Sequence, residues 1–308
     1  MSTKWVACSV RARAMMRRRL GRAAARGLAA EKSLDAALVT LSQSPYRRGD
    51  VGPDDNLADA QRGVVETVLW NLRVLAGWAP REGVTMLRVL VGIVEIDNVE
   101  NHLRRLAGGA QPPPYRLGGL ATAWPRLARA TTADQVRSML TASPWGDPGG
   151  QTTREIGLAM RTSLADRMIA AVPGAGSWAA GAVALLVAQV DAYDDADLPT
   201  QAHVYAERVL GPHAMSPATL PEFAVRLGGP ARWALADVVE PAELWRAQAR
   251  WWARVETDGF ALARTATAGP QILVGAAATM AFDAWRARAA LELAARGGQP
   301  MEAFDAVA

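Results

Sequence analysis

The chain has 308 residues, half of them hydrophobic and 21% charged, with a formal net charge of +4 and a single cysteine. That length buries a substantial core, and one cysteine excludes an intramolecular disulfide and points to a reducing compartment. Ala and Arg are abundant and there are four Tyr and four Phe; helix formers dominate, so an all-α protein is expected.

The charge is concentrated at the start. Lys4, Arg11, Arg13, Arg17, Arg18, Arg19, Arg22 and Arg26 fall in the first 30 residues without an acid, leaving 26 basic against 30 acidic residues beyond them. Arg11, Arg13, Arg17, Arg18 and Arg19 form a candidate interface patch. A basic helix suits anionic lipid, nucleic acid or an acidic partner, and a solvated face is the plain alternative. No apolar core follows the early arginines, so no secretory signal is expected.

A short phrase, "LSQSPY" (41–46), comes next and returns as "LTASPW" (140–145). Each copy has an Asp six residues before its Leu, Asp35 and Asp134. The pattern predicts a joint at which a helix ends, proline stops it and an aromatic fills a gap. After the first copy, Val65, Val68, Leu69, Leu72 and Leu75 follow helical spacing, as do Val89, Ile93, Ile96 and Leu103. Within "EIDNVENHLRRL" (95–106), Asp97, Asn101 and Arg105 are spaced i, i+4, i+8 with Arg104 adjacent. They form a candidate polar network that buckles two helices, or supplies an interface or an acid.

Further along, "GAGSWAAG" (174–181) contains G-x-G-x-x-A, but no strand precedes it and the dinucleotide reading fails. The acidic run "DAYDDAD" (191–197) puts Asp191, Asp194 and Asp195 at i, i+3, i+4. This raises an all-α isoprenoid (terpene) synthase as an alternative, with magnesium held by carboxylates; a solvated helix end is the plain reading. Trp245, Trp252 and Phe260 make a rough helical stripe, read as core or interface. The three histidines (His102, His203, His213) and Cys8 lack zinc-ligand spacing. Two uncharged stretches, 168–190 and 265–282, are each interrupted by Gly and Pro and read as buried helices rather than membrane spans. No catalytic, metal or cofactor site is expected.

The duplication extends past the phrase. Asp97 and Asp191 each end an apolar helical run, and a weaker third copy near residues 219–298 would put Asp283 in the same place. Clusters of Gly and Pro then divide the chain into three helical repeat domains, 1–108, 109–210 and 211–308.

These pieces resemble the C subunit of the V-type/A-type ATPases (ATP synthases), whose counterpart in the eukaryotic vacuolar enzymes is the d subunit. That family opens with a helix carrying V-R-A-R, here "SVRARAMMRRRL" (9–20), so the basic start is read as mature protein. "LVTLSQSPY" (38–46) matches its L-x-x-[ST]-x-Y, and "EIDNVENHLRRL" keeps Asp97, Asn101 and Arg104/Arg105 in spacing similar to its D-x-x-N-x-x-x-x-x-R. "YRLGGLATAW" (115–124), "MLTASPW" (139–145) and the last helix, 269–304, follow in the family's order. Where that last helix has Glu two residues before an Arg, this chain has Ala284 before Arg286, with Asp283 alongside. The resemblance implies three similar helical domains in a pseudo-threefold funnel. It implies a non-catalytic rotor adaptor, peripheral on the cytoplasmic face of a membrane, joining the central stalk (the D and F subunits) to the proteolipid ring for proton or sodium transport. No cofactor and no nucleic acid are implied. A basic helical nucleic-acid or regulatory adaptor remains the third alternative.

Overall fold

The computed structural model describes residues 3–49, 51–194, 197–216 and 219–307. Among them are α-helices and short 3-10 turns and no strand, so the all-α expectation holds. Among the described residues no helix is long and apolar enough to cross a membrane. The chain forms two compact units, the first from residues 1–84 and 252–308, the second from residues 85–251. Clusters of Gly and Pro mark three consecutive segments along the sequence, whereas contacts join the two ends of the chain in one unit.

The first unit contains α1 (Thr3–Met16), α2 (Gly21–Ala29), α3 (Leu34–Ser42), a 3-10 turn at Pro45–Gly49, α4 (Leu57–Ala76), α15 (Pro270–Ala295) and α16 (Met301–Val307). Helix α15 is its axis: α1, α2, α3, α4 and α16 all pack against it. It is therefore apolar nearly all round, as an enclosed helix must be. Leu28, Leu38, Leu41, Val64, Leu291 and Phe304 share one core. The stripe expected on α4 is largely confirmed, with Leu69, Leu72 and Leu75 buried. Two glycines set a close helix crossing with the C-terminal part of α14 (Leu244–Ala263). A Cβ on Gly275 would overlap the Gly259 carbonyl and lie 2.6 Å from the Ala263 nitrogen. Trp252 stacks on Trp285 at 5.5 Å between centroids, which places the middle of the aromatic stripe against α15.

The second unit begins within α5 (Arg81–Leu90) and holds α6 (Gly92–Leu106), α7 (Trp124–Leu127), α8 (Ala133–Thr141), α9 (Thr153–Ala171), α10 (Gly176–Tyr193), α11 (Thr200–Leu210), α12 (Leu220–Arg226) and α13 (Gly229–Arg232). Polar starts are capped as their sequences indicate: Thr132 accepts from Gln135 N–H before α8, and Thr152 with Glu155 forms a capping box on α9. Helices α6 and α9 meet at glycines, since a Cβ on Gly92 would strike Leu164 and one on Gly157 would overlap the Glu100 carboxylate. The stretch 168–190 is broken into α9 and α10 at its Gly and Pro, as expected.

The crossing at Gly275 predicts that Gly275→Ala destabilises by about 1–3 kcal/mol through overpacking against backbone. Gly27→Ala, in α2 with open space around it, is expected to be neutral or to stabilise by up to about 1 kcal/mol. Urea denaturation of the two variants measures the contrast.

Candidate functional site: a duplicated carboxylate joint

The repeated phrase builds the same structure twice. At the end of α3, Ser44 Oγ donates to the Leu41 carbonyl at 2.6 Å and accepts the Tyr46 N–H at 3.1 Å. At the end of α8, Ser143 Oγ donates to the Leu140 carbonyl at 2.7 Å and accepts the Trp145 N–H at 3.1 Å. In each copy serine closes the last helical turn and proline prevents its continuation. The aromatic that follows is buried, 4% exposed for Tyr46 and 2% for Trp145. A hydroxyl on the next long helix then holds the aromatic's carbonyl, Thr67 on α4 at 3.2 Å and Ser163 on α9 at 3.2 Å.

Both aromatics reach a buried carboxylate. Tyr46 Oη donates to Asp283 Oδ2 at 2.8 Å, and Trp145 Nε1 lies 3.5 Å from Glu95 Oε1. Asp283, on α15, also accepts the N–H groups of Leu20 and Gly21 at 2.9 and 2.8 Å, where α2 begins. Glu95, on α6, accepts the N–H groups of Thr122, Ala123 and Trp124 at 2.5–2.7 Å, where α7 begins. Neither α2 nor α7 has a capping side chain of its own. A carboxylate from a distant part of the sequence therefore does the capping, with charge-assisted bonds and the favourable end of the helix dipole.

An arginine accompanies each joint. Arg286, 3% exposed, lies over the Phe282 ring and donates to both oxygens of Glu256 at 3.1 Å. Arg167 lies 4.5 Å over the Trp145 ring; its pKa is lowered, first by burial and then by Arg88 nearby, against the opposing attraction of Glu95. The Tyr46 hydroxyl is held well above the usual tyrosine range by burial and then by the charge of Asp283.

Helix α6 holds more than one turn of the following segment. Asn98 donates to the Tyr115 carbonyl at 3.0 Å and accepts its N–H at 2.7 Å. His102 Nε2 lies 3.0 Å from the Ala130 carbonyl, which can only accept, and its ring meets Trp124 edge-on. Glu95, Asn98 and His102, at i, i+3 and i+7, thus anchor residues 115, 122–124 and 130.

Sequence periodicity singles out neighbours of these residues instead. Arg104 donates to Asn101 at 3.0 Å and pairs with Glu100 at 3.5 Å, Arg105 donates to the Pro112 carbonyl, and Asp97 pairs with Arg161 at 3.8 Å on a partly exposed face. Arg161 also grips Glu100 with two bonds. Glu100, Arg104, Arg154 and Arg161 border an open cavity of about 450 Å³ whose arginines are paired with carboxylates. The counterpart of Asp283 is Glu95 rather than Asp97, and Ile93, placed on the apolar stripe, is 43% exposed. The signal that marks the right register is carboxylate-x-x-Asn: Glu95 to Asn98 is three residues, while Asp97 to Asn101 is four.

In the basic patch, Arg11 lies over Trp78 at 4.7 Å, Arg13 donates to the Ala263 and Thr265 carbonyls, and Arg19 lies over Phe260 at 4.6 Å. Arg17 and Arg18 are exposed. In the acidic run, Asp191 is exposed in the last turn of α10 and Asp194 pairs with Arg154 at 2.6 Å, while Asp195 lies outside the described residues. Among the described residues no three His, Cys, Asp or Glu side chains are grouped to hold a metal ion.

No protein-family model matches this chain, and no curated protein matches it.

Two measurements test the joints. Glu95→Ala and Asp283→Ala, each stranding buried N–H donors, are expected to destabilise by about 3–5 kcal/mol, against about 0.5 kcal/mol for Asp97→Ala; denaturation of the three variants reads this. Because the native Tyr46 keeps a proton that the unfolded chain releases above about pH 10, its contribution is intact below that pH and is lost as pH rises further. The stability of Tyr46→Phe is therefore expected to fall less steeply than wild type on the alkaline side.

Proposed function

We propose that this chain is a divergent C-type subunit of a V/A-type rotary ATPase, a non-catalytic adaptor that couples the central stalk, made of the D and F subunits, to the proteolipid ring. The observation that carries the reading is the order of the duplicated joint. In the second unit the carboxylate helix α6 precedes α7, α8, the Ser-Pro-aromatic turn and α9. In the first unit the same series is α2, α3, turn and α4, and its carboxylate helix is α15, at the far end of the chain. A repeat completed by the opposite terminus is what a ring of similar helical units requires, and the family's funnel is such a ring.

A worn third copy adds support. On α10, a Cβ at Gly181 would meet Trp233, as one at Gly92 on α6 would meet Trp145. Three residues after each glycine, α6 has Glu95 and α10 has the buried Ala184. The family's D-x-x-N-x-x-x-x-x-R also fits better than a reading centred on Asp97, because Glu95, Asn98 and Arg104 satisfy both intervals with Glu for Asp. Three domains around a pseudo-threefold axis, a peripheral position on the cytoplasmic face of a membrane, and proton or sodium transport by the host complex belong to this proposal.

The test is reconstitution of the full chain with the proteolipid ring and the D–F stalk. A folded complex with both is expected; a correctly folded chain that binds neither overturns the proposal. The isoprenoid synthase alternative predicts magnesium-dependent release of diphosphate from a prenyl diphosphate, an activity for which the rotor reading has no place.

A further inference from the structure

Helix α1 buries one face and leaves the other uncovered. Cys8, Ser9, Ala12 and Met16 are buried, α1 packs on α15, and Ser9 Oγ accepts the Gly269 N–H at 3.2 Å. At 3.6 residues per turn, the opposite face carries Val6, Val10 and Ala14 in a row. Arg18 extends that i, i+4 series past the helix, Arg11 lies on one side of the row and Arg17 on the other, while Lys4 falls in the series of the buried Cys8, Ala12 and Met16. Val6 is 45% and Val10 63% exposed. Arg11 ties this face to Trp78, itself 46% exposed. Val6, Val10 and Trp78 are three of the four large hydrophobic side chains exposed among the described residues of this unit. The turn continues past α1, with Arg17 N–H on the Arg13 carbonyl and Arg18 N–H on the Met15 carbonyl. Arg17 and Arg18 point out with no ion-pair partner among the described residues.

An apolar row flanked by cations, with a tryptophan at its margin, has the chemistry of a helix lying in a membrane interface. Charge selects an anionic partner, and the valines choose among anionic partners. They add nothing to a phosphate backbone, whose recognition is electrostatic. A lipid surface is fluid and needs no matching groove.

We propose that the outer face of α1, with Trp78, docks on anionic lipid headgroups. Val6 and Val10 enter the boundary between headgroups and acyl chains, and Arg11, Arg17 and Arg18 pair with headgroup phosphates. The proposal does not rest on the rotor reading, since it concerns the chain alone on a lipid surface.

The experiment is co-sedimentation of the full chain with vesicles of phosphatidylcholine, with and without phosphatidylglycerol, at low and high salt. Binding is expected only with phosphatidylglycerol, and salt weakens it. Arg17→Gln/Arg18→Gln is expected to lose roughly fivefold in affinity per arginine, and Val6→Ser/Val10→Ser to lose a comparable amount. These side chains are exposed, so both variants keep the wild-type melting temperature, which is measured alongside. No binding to the anionic vesicles, or binding unchanged by either pair of substitutions, overturns the proposal. So does tighter binding to a short DNA duplex that Val6→Ser/Val10→Ser leaves intact, which would assign the face to nucleic acid. Failure here leaves reconstitution with the ring and stalk to be decided on its own result.

Discussion

A helix that begins inside a protein starts with N–H groups that have no acceptor along the chain, and burying them without one is costly. Helices α2 and α7 begin in that condition, at Leu20–Gly21 and at Thr122–Trp124, with no Ser, Thr, Asp or Asn of their own placed to cap them. A carboxylate on a long neighbouring helix resolves the problem in both units. Once Asp283 holds the start of α2 and the hydroxyl of Tyr46, the position of α3 relative to α15 is set by hydrogen bonds as well as by packing. Once Glu95 holds the start of α7, the irregular segment from Ala107 to Thr132 has an anchor at its centre, with Asn98 and His102 fastening it on either side. Neither carboxylate is separable from the helix it caps: removing one strands several buried donors together.

How much of this is legible in the sequence depends on the range of the interaction. The helices themselves are readable from composition and period. So is the Ser-Pro-aromatic joint, because its serine bonds are made within three residues. The duplication is readable for the same reason. The carboxylate bonds span 27 to 50 residues in the second unit and more than 230 in the first, and no local pattern reports an acceptor that far from its donors. Glu95 is easily passed over because it precedes a more conspicuous Asp97, and because an acid in the first turn of a helix is usually explained by the helix's own dipole. A stripe drawn through Ile93 turns the helix by enough to bring Asp97 toward the core. The spacing from Glu95 to Asn98 is present in the sequence, but the four-residue interval from Asp97 to Asn101 looks equally helical.

The differences between copies follow from what each aromatic can offer. Tyr46 presents a hydroxyl whose proton stays in place, so a short Asp on α15 meets it while capping α2. Trp145 presents an indole N–H closer to its own backbone, and there the longer Glu on α6 spans the gap. If α10 belongs to a third copy, as proposed, Ala184 stands at the carboxylate position, and the Trp233 indole donates locally to the Pro230 carbonyl at 2.8 Å. An aromatic with a local acceptor no longer needs the distant acid. Ala184 is a small side chain on α10, where Gly181 lets the ring approach.

A carboxylate that accepts three to four bonds from backbone and ring donors has little capacity left for a substrate, and its geometry is suited to holding helices rather than to proton transfer. The arginines near the joints are likewise committed, to Glu256 in one unit and to an indole face in the other. Chemistry of that kind yields a stiff body whose adaptable surfaces lie elsewhere, on exposed faces that no joint constrains. The outer face of α1 is such a surface: its inner side is fixed to α15 by small buried residues, so its outward arginines and valines can answer to a partner. Under the proposed rotor reading, this division between rigid interior joints and independently variable exteriors is what a force-transmitting adaptor would use.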